Sequence, residues 1–341
     1  MPRRDTVTIA VLGDGGWGTT LAIHLHDRGH RVWLWGAFPQ YVKVLNRRRE
    51  NVKFLPGIRI PRAIRMTDDL AEAIAAAPLL LLAVPSQYLR GVLRRFPSTP
   101  LKEKLCISVV KGLERGSGTR MSEVVREELG RVRLAVLSGP NIASEIARHQ
   151  PASSVVASTD AALAADLQRR FMSDRFRLYT STDVIGVELG GALKNPLAMA
   201  AGISDGLGFG ANAKAALITR GVVEMARLGG AMGARPETFW GLSGLGDLIT
   251  TAFGGRNHWL GQQLGRGRSL HRLLASTPMV IEGVETAKAA VVLAQRYRVE
   301  LPIIEQVAAI VSHRRSPRQA FQALMRRAGK PEAGRVFRKT L

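Results

Sequence analysis

Three glycines near the start of the chain have the spacing of a dinucleotide-binding turn. Gly13, Gly15 and Gly18 form the pattern G-x-G-x-x-G directly after the apolar run 7–12, and a helical pattern follows. Such glycines allow a tight turn, close approach of the backbone to a pyrophosphate, and close packing of helix on strand. The helix N-terminus adds free N–H groups. The pattern predicts a dinucleotide site; the alternative is a structural turn without a ligand.

Two later segments place functional residue types at the ends of predicted strands. Pro85 follows the apolar run 79–84, and Lys111 follows the run 105–110. Open parallel sheets bind ligands just beyond the carboxyl ends of their strands. We therefore expect both residues near a ligand, although the proline could simply end its strand.

The alternation of short apolar runs and helical patterns predicts the elements that position these residues. Strands are expected at 7–12, 31–35, 64–66, 79–84, 105–110 and 134–137, with 153–157 and 175–179 extending the sheet and a helix over 161–171. Beyond residue 182 strand-like runs nearly vanish. The predicted fold is an α/β Rossmann-type parallel-sheet domain over residues 1–182, followed by an all-α domain over residues 183–341.

The charge of the chain is strongly positive, with 49 Lys and Arg against 27 Asp and Glu and a net charge of +22. This balance attracts phosphorylated metabolites, nucleic acid and acidic lipids alike, and selects none of them. Many basic residues follow His313: Arg314, Arg315, Arg318, Arg326, Arg327, Lys330, Arg335, Arg338 and Lys339. They predict a solvated helix face and a frayed tail, or a tail that contacts polyanions such as an anionic membrane surface. Truncation after Ser312 is expected to leave the chemistry of the chain largely intact. We expect no specific nucleic-acid partner.

A single cysteine, Cys106, excludes an intramolecular disulfide framework, and its position in an apolar run indicates an inert strand residue. No apolar run approaches the roughly 20 residues of a membrane-spanning helix, and no export signal is recognisable. We therefore expect a cytoplasmic protein without a transmembrane segment.

With these residues in hand, the sequence resembles the glycerol-3-phosphate dehydrogenase family from about residue 7 to about residue 312. The matching blocks are 13–22, 51–56, 84–90, 110–112, 139–145, 188–210, 241–257 and 282–287. The resemblance implies an NAD- or NADP-dependent enzyme without a metal. It would interconvert dihydroxyacetone phosphate and glycerol 3-phosphate by hydride transfer, supply glycerophospholipid synthesis, and form a homodimer.

The resemblance also implies roles for individual residues. Reduction of a ketone builds negative charge on oxygen, so a proton donor is needed there, and the substrate phosphate needs fixed cations. Lys194 is the implied acid/base, oriented by Asp247, and Lys111 lies between cofactor and substrate. The implied substrate-binding residues are Lys111, Gly139, Asn141, Lys194, Asn195, Asp247, Thr251, Arg256 and Asn257. The implied cofactor-binding residues are Gly13, Gly15, Gly16, Trp17, Gly18, Gly36, Phe54, Pro85, Lys111, Ala143, Arg256 and Glu282.

Some positions depart from the family pattern. Asn141 stands where serine or threonine is usual, and Gly255 lacks a serine that many bacterial members carry. Pro196 predicts either a kink at Asn195 or a helix junction at Lys194, because proline removes an N–H donor and disfavours helical geometry before it. Gly190 and Gly191, one turn before Lys194 on the same helix face, are expected to leave room for substrate and nicotinamide.

The second predicted strand, 31–35, ends at Gly36 without the carboxylate that usually selects NAD. We therefore expect use of both cofactors, with NADPH at least comparable to NADH at low ionic strength. Two other functions remain open. One is another small hydroxyacid dehydrogenase of the same architecture, and the other is a cofactor-binding regulator that grips polyanions through the basic tail.

Overall fold

In the computed structural model, which describes residues 6–97 and 104–332, the chain divides into an α/β unit and a helical unit. The α/β unit comprises Met1–Val110 and Met121–Val184, and the helical unit comprises Lys111–Arg120 and Ile185–Leu341. The expected division after residue 182 lies close to Val184, but a single cut does not describe the chain. Lys111–Arg120 belongs to the helical unit because Leu113 is buried in that unit's apolar core.

The α/β unit contains ten strands and seven helices among its described residues. The strands are β1 (Thr8–Leu12), β2 (Arg31–Trp35), β3 (Glu50–Asn51), β4 (Leu55–Arg59), β5 (Arg65–Thr67), β6 (Leu79–Leu82), β7 (Leu105–Ser108), β8 (Arg133–Ser138), β9 (Ala152–Ala157) and β10 (Phe176–Ser181). The helices are α1 (Gly16–Asp27), α2 (Pro39–Arg48), α3 (Leu70–Ala76), α4 (Ser86–Leu93), α5 (Met121–Leu129), α6 (Ala143–Ala147) and α7 (Ala161–Phe171).

Eight of the strands form one sheet in the order β10-β9-β8-β7-β6-β1-β2-β5. Successive residues of β1 face different apolar layers, with Ile9 in one core and Ala10 in the other. Burial on both faces explains why the central strands read as continuous apolar runs. The predicted Rossmann-type sheet is confirmed, including its extension by β9 and β10.

Two features of the α/β unit were not predicted. β9 pairs antiparallel with β8, to which it is connected through α6, whereas the other neighbours in the eight-stranded sheet are parallel. β3 and β4 form a separate hairpin. The hairpin escaped prediction because β3 has only two residues and β4 contains Pro56 and Gly57, which interrupt an apolar alternation.

The helical unit contains eight α-helices among its described residues. They are α8 (Val184–Gly206), α9 (Ala211–Ala231), α10 (Asp247–Ala252), α11 (Arg256–Gly265), α12 (Leu270–Ala275), α13 (Glu282–Tyr297), α14 (Pro302–Val311) and α15 (Pro317–Met325). A 3₁₀ turn (Pro236–Trp240) and a π-helical turn (Leu242–Gly246) precede α10. The expected all-α character is confirmed.

Helix α8 runs through Pro196. The helix junction considered for Lys194 is therefore wrong, and Lys194 lies inside a 23-residue helix. Neighbouring residues Leu193 and Leu197 are fully buried, so packing on all sides holds the helix where proline removes one backbone hydrogen bond.

The basic segment after His313 is partly built into the fold. α15 begins with a Ser316 capping box, and Ala320 is buried in the core of the helical unit. Phe321 contacts Phe209, with 4.5 Å between ring centroids. The basic side chains of this segment are exposed, as expected for a solvated helix face, but residues up to Met325 form a packed helix and are not frayed. That truncation after Ser312 leaves the chemistry largely intact stays a prediction. Arg335, Arg338 and Lys339 lie outside the described residues.

Candidate active site

The glycine turn of the α/β unit is held tightly against β2 and β6. Gly13 has a φ of 127° and donates its N–H to the Trp35 carbonyl at 3.0 Å. A Cβ on Gly13 would lie 2.7 Å from the carbonyl carbon of Ala83, and a Cβ on Gly18 would contact the Gly13 carbonyl oxygen. Packing within the protein therefore requires glycine at both positions.

Gly15 differs from its neighbours because nothing in the described protein requires it. Its φ of −68° suits any residue, and a Cβ there would meet no atom within 4 Å. At Gly16, by contrast, a Cβ would lie 2.6 Å from the Phe54 carbonyl oxygen of the β3–β4 hairpin. The open side of Gly15 and the absence of a side-chain cap on α1 leave backbone N–H groups free for an anion. This geometry fits the pyrophosphate of a dinucleotide.

Asn51, in the unpredicted hairpin, fixes the turn from the other side. It is fully buried, and its Nδ2 donates to the Asp14 carbonyl at 2.8 Å and to Thr19 Oγ1 at 2.7 Å. Its position in the sequence block 51–56 was the one signal that could have identified it. Trp17 Nε1 is buried without a hydrogen-bond partner among the described residues, and it remains a predicted cofactor neighbour.

The other site residues predicted in the α/β unit follow its strands. Pro85 is the N-cap of α4, Gly36 follows β2, and Ala143 begins α6. Asn141 donates through Nδ2 to Ser154 Oγ at 3.1 Å, while its Oδ1 is buried without a partner in the described chain. A Cβ on Gly139 would lie 2.8 Å from the same Ser154 Oγ. Asn141 thus belongs to the α/β unit, whereas most of the other predicted substrate-binding residues belong to the helical unit.

In the helical unit, two lysines share one buried carboxylate. Asp247 is 1% exposed and begins α10, directly after the π-helical turn. Its Oδ2 accepts a hydrogen bond from Lys111 Nζ at 2.6 Å, and its Oδ1 accepts one from Lys194 Nζ at 3.0 Å. The structure therefore brings the three predicted catalytic residues together, from positions widely separated in the sequence.

The ammonium group of Lys194 is well suited to exchange a proton near neutral pH. Its burial lowers the pKa to about 8, and the positive charge of Lys111 acts in the same direction. The carboxylate of Asp247 opposes this shift. A lysine with a pKa close to the working pH is a competent general acid and base.

A chain of amides connects the lysine cluster to α11 and α13. Asn195 donates through Nδ2 to the Lys111 carbonyl at 3.1 Å, and its Oδ1 accepts from Asn257 Nδ2 at 2.9 Å. Asn257 Oδ1 accepts in turn from the Gly283 N–H at 2.9 Å. Both predicted amide residues are therefore held rigidly beside Lys194.

Three other predicted site residues also belong to the helical unit. Arg256 begins α11, has an exposed side chain, and donates through one guanidinium nitrogen to the Val280 carbonyl at 3.0 Å. Glu282 begins α13. Thr251 donates its hydroxyl to the Asp247 carbonyl at 2.7 Å, which ties it to its own helix. Arg256 therefore has further donors for an anionic ligand.

Two observations correct or extend the predicted site. A Cβ on Gly190 would lie 2.8 Å from the Ser243 carbonyl oxygen, so this glycine permits close packing of the π-helical turn and leaves no room for substrate. Arg120 and Glu188 form a buried ion pair at 2.6 Å that joins the Lys111–Arg120 segment to α8. No local pattern marked Arg120, because its partner is 68 positions away.

A Rossmann-type unit with an open glycine turn, and a helical unit with a buried lysine–carboxylate cluster, define a dinucleotide-dependent dehydrogenase. Residues 8–164 match the family model described as NAD-dependent glycerol-3-phosphate dehydrogenase N-terminus, and residues 183–322 match the model of its C-terminus. The chain belongs to the NAD-dependent glycerol-3-phosphate dehydrogenase family. It is an NAD(P)-dependent oxidoreductase, which confirms the resemblance found in the sequence.

Individual relatives agree with this assignment. The chain is 45% identical over 329 residues to a glycerol-3-phosphate dehydrogenase (NAD(P)+) from Chlorobium luteolum, covering 95% of this chain and 99% of the relative. It is 47% identical to one from Geobacillus kaustophilus, covering 95% and 96%. A crystal structure of glycerol-3-phosphate dehydrogenase from Coxiella burnetii superposes with a TM-score of 0.90 at 39% identity, covering 94% of this chain and 99% of that one.

Within residues 6–97 and 104–332, no helix combines the length and apolar character needed to cross a membrane. The same residues contain no group of three or more His, Cys, Asp or Glu side chains arranged to hold a metal ion.

Proposed function

We propose that the chain catalyses reversible hydride transfer between NAD(P)H and dihydroxyacetone phosphate, giving sn-glycerol 3-phosphate for glycerophospholipid synthesis. The observation that carries this proposal is the buried Lys194, held with Lys111 on Asp247 and accompanied by the exposed Arg256. Two lysines on one buried carboxylate, with the charge of Arg256 acting on Lys194, suit an anionic substrate whose carbonyl oxygen gains negative charge.

In the direction of reduction, Lys194 Nζ donates a proton to the carbonyl oxygen of the substrate as negative charge develops there. When bound, the reduced nicotinamide supplies the hydride that adds to the carbonyl carbon. Asp247 orients both ammonium groups, and Lys111 adds positive charge beside the developing alkoxide. In the oxidative direction, neutral Lys194 accepts the hydroxyl proton.

The substrate phosphate is assigned to Arg256 and Asn257 at the start of α11. A planar guanidinium can hold two phosphate oxygens at once, and Arg256 uses one nitrogen on Val280. Asn195, Thr251, Gly139 and Asn141 stay predicted substrate contacts. For the dinucleotide, the backbone of Gly13–Gly18 would hold the pyrophosphate, with Gly36, Phe54, Pro85, Ala143 and Glu282 as further predicted contacts.

A spectrophotometric assay of NADH and NADPH consumption tests the proposal. We expect consumption with dihydroxyacetone phosphate and at least tenfold lower kcat/KM with unphosphorylated dihydroxyacetone, since binding energy of a remote phosphate contributes to catalysis. Preferred turnover of a small 2-keto acid would instead support a hydroxyacid dehydrogenase. Binding of cofactor without turnover of either class would support a regulator.

We also propose a cytoplasmic homodimer with weak affinity for anionic membrane surfaces. The dimer and the location are supported by the family resemblance, and the surface contact by the net charge of +22. Sedimentation analysis tests the dimer. Binding to vesicles containing anionic lipid should nearly vanish by about 0.5 M salt, where screening is strong; salt-insensitive binding would contradict a purely electrostatic contact.

A further inference from the structure

The end of β2 has a carboxylate beside it, although the strand itself ends without one. A Cβ built on Gly36 would contact Asp14 Oδ2 and lie 2.7 Å from Asp14 Cγ and 2.8 Å from a methyl group of Val42. The space that a side chain at the strand end would occupy is thus filled by Asp14, a residue of the glycine turn. The sequence predicted no carboxylate at the end of β2; the structure corrects this, because the Asp14 carboxylate lies there.

The backbone holds Asp14 in this place. The N–H of the preceding Gly13 bonds to the Trp35 carbonyl at the end of β2, 3.0 Å away. The Asp14 carbonyl accepts hydrogen bonds from Asn51 at 2.8 Å and from Thr19 at 3.4 Å. The backbone on both sides of the Asp14 side chain is therefore held, at Gly13 by β2 and at the Asp14 carbonyl by Asn51 and Thr19.

The Asp14 carboxylate lacks a partner for one of its oxygens. Asp14 is 9% exposed, and Oδ2 has no hydrogen-bond partner among the described residues. Burial raises the pKa of this carboxyl to about 6, and the charge of Lys53 opposes the shift. The group is therefore predominantly ionised at pH 8. A buried carboxylate oxygen without a donor is unfavourable, and a ligand hydroxyl would relieve that cost.

We propose that Asp14 selects the cofactor: its carboxylate accepts a hydrogen bond from the adenosine ribose hydroxyls of NAD and opposes the 2′-phosphate of NADP. This is the role usually taken by an acidic residue at the end of the second strand, performed here from the glycine turn. The inference rests on the proposed function insofar as a dinucleotide binds. It reverses the expectation that NADPH is used at least as well as NADH.

The cations of this region do not cancel the effect of Asp14. Lys53 is exposed, with its Nζ 5.0 Å from the ring centroid of Phe54 and 6.0 Å from that of Tyr41. Lys43, Arg47 and Arg48 lie on α2. The charge of an exposed lysine is screened by water and salt, whereas that of a buried carboxylate is screened much less. The more buried charge therefore decides the preference.

Calorimetric titration with two fragments that lack nicotinamide tests this proposal. ADP-ribose and 2′-phospho-ADP-ribose are titrated into the full chain, Asp14→Asn, Asp14→Ala and the control Asp27→Asn at pH 8 and fixed ionic strength. Asp27 is an exposed carboxylate at the opposite end of α1, so its variant removes the same charge elsewhere in the unit. Asparagine preserves the shape of Asp14 if the alanine variant fails to fold.

We expect wild type to bind ADP-ribose at least about tenfold more tightly than the 2′-phosphorylated fragment, as one charge-assisted hydrogen bond supports. Asp14→Asn should shrink this ratio about tenfold or more, chiefly by strengthening the phosphorylated fragment, with Asp27→Asn within about twofold of wild type. A wild-type preference for the phosphorylated fragment, equal weakening of both fragments in Asp14→Asn, or binding of neither by wild type would overturn the proposal.

Neither fragment can donate or accept a hydride, so the outcome is independent of the reaction proposed above. Failure to reduce dihydroxyacetone phosphate together with a normal fragment ratio would contradict the proposed function and leave the role of Asp14 intact. Normal reduction of dihydroxyacetone phosphate, with an unchanged ratio of fragment affinities in Asp14→Asn, would contradict the role of Asp14 and leave the proposed function intact. Comparing kcat/KM for NADH and NADPH in wild type and Asp14→Asn adds a second, catalytic readout.

Discussion

The glycine turn of the α/β unit and the lysine cluster of the helical unit prepare for ligands in opposite ways. At the turn, function depends on open space beside the backbone. A Cβ on Gly15 would meet no described atom within 4 Å, and no described side chain caps the N–H groups of α1. At the cluster, it depends on buried charges that hold one another, with Asp247 between Lys111 and Lys194. Backbone groups suit a cofactor that many enzymes share, whereas fixed side-chain charges suit one reaction.

The largest effect that separates the two regions is expected from Lys194→Ala. Turnover should fall by about 10²–10⁴-fold, because the general acid is lost, while the affinity for ADP-ribose stays within about twofold. Lys194→Arg keeps the charge but not a pKa near neutrality, so it should remain almost as inactive.

Lys288→Ala is the matched control, since it removes an exposed lysine from α13 of the same unit. Steady-state kinetics and calorimetry decide. If Lys194→Ala retained more than about a tenth of wild-type turnover, Lys194 would not be the acid/base.

The next largest effect is expected at the phosphate position. Arg256→Ala should cost about 2–4 kcal/mol in kcat/KM for dihydroxyacetone phosphate, because a charged bidentate contact is lost, with little change for dihydroxyacetone. Arg266→Ala, at the other end of α11, serves as the control. An unchanged ratio between the two substrates in Arg256→Ala would contradict the phosphate assignment.

Two glycine variants separate packing from ligand binding within the turn itself. Gly18→Ala places a methyl group against the Gly13 carbonyl and should lower the free energy of unfolding by about 1–3 kcal/mol. Gly15→Ala should change it by less than about 1 kcal/mol, yet weaken ADP-ribose about tenfold, because its methyl group occupies the pyrophosphate approach. Urea unfolding and calorimetry measure the two quantities. Wild-type affinity in Gly15→Ala would mean that the open side of Gly15 is not the pyrophosphate site.

The smallest effect is a pH dependence set by the lysine cluster. Since the protonated lysine is the acid, kcat/KM for ketone reduction should be constant below the Lys194 pKa of about 8 and fall above it. For alcohol oxidation, in which neutral Lys194 is the base, kcat/KM should instead rise with pH and level off above the Lys194 pKa of about 8. Asp247→Asn removes the charge that favours the ammonium form, so the limb should move to lower pH. Profiles between pH 6.5 and 10 measure this, and an unmoved limb would exclude Lys194 as the titrating group.

Local features of the fold could be predicted from the sequence, and non-local ones could not. β2 and α7 have the bounds that periodicity indicated, because each buries its own apolar face. The β3–β4 hairpin and the antiparallel β9 depend on pairings that no short pattern encodes. The Lys111–Arg120 segment reads as a loop of the first domain. Its contacts with α8 and α10 and its buried Leu113 place it in the other unit.

The same distinction holds for the sites. Three glycines within six positions identify the turn by spacing alone. The end of a predicted strand indicated Lys111 as a residue near a ligand, whereas its partner Asp247, 136 positions away, was found only through the family resemblance. Asp14 shows what the spacing of residues in the sequence cannot predict. The sequence places it between two glycines, but its function depends on the absence of a side chain at Gly36, which only the folded turn brings beside it.

The excursion of Lys111–Arg120 into the helical unit sets an order of events during synthesis. Lys111 leaves the ribosome long before its partner Asp247, which follows 136 residues later. At about 5–20 residues per second, the delay is on the order of 10 seconds. During this delay the segment cannot make the contacts with α8 and α10 that hold it in the folded chain. The yield of folded chain is therefore expected to depend on how fast the intervening residues are translated.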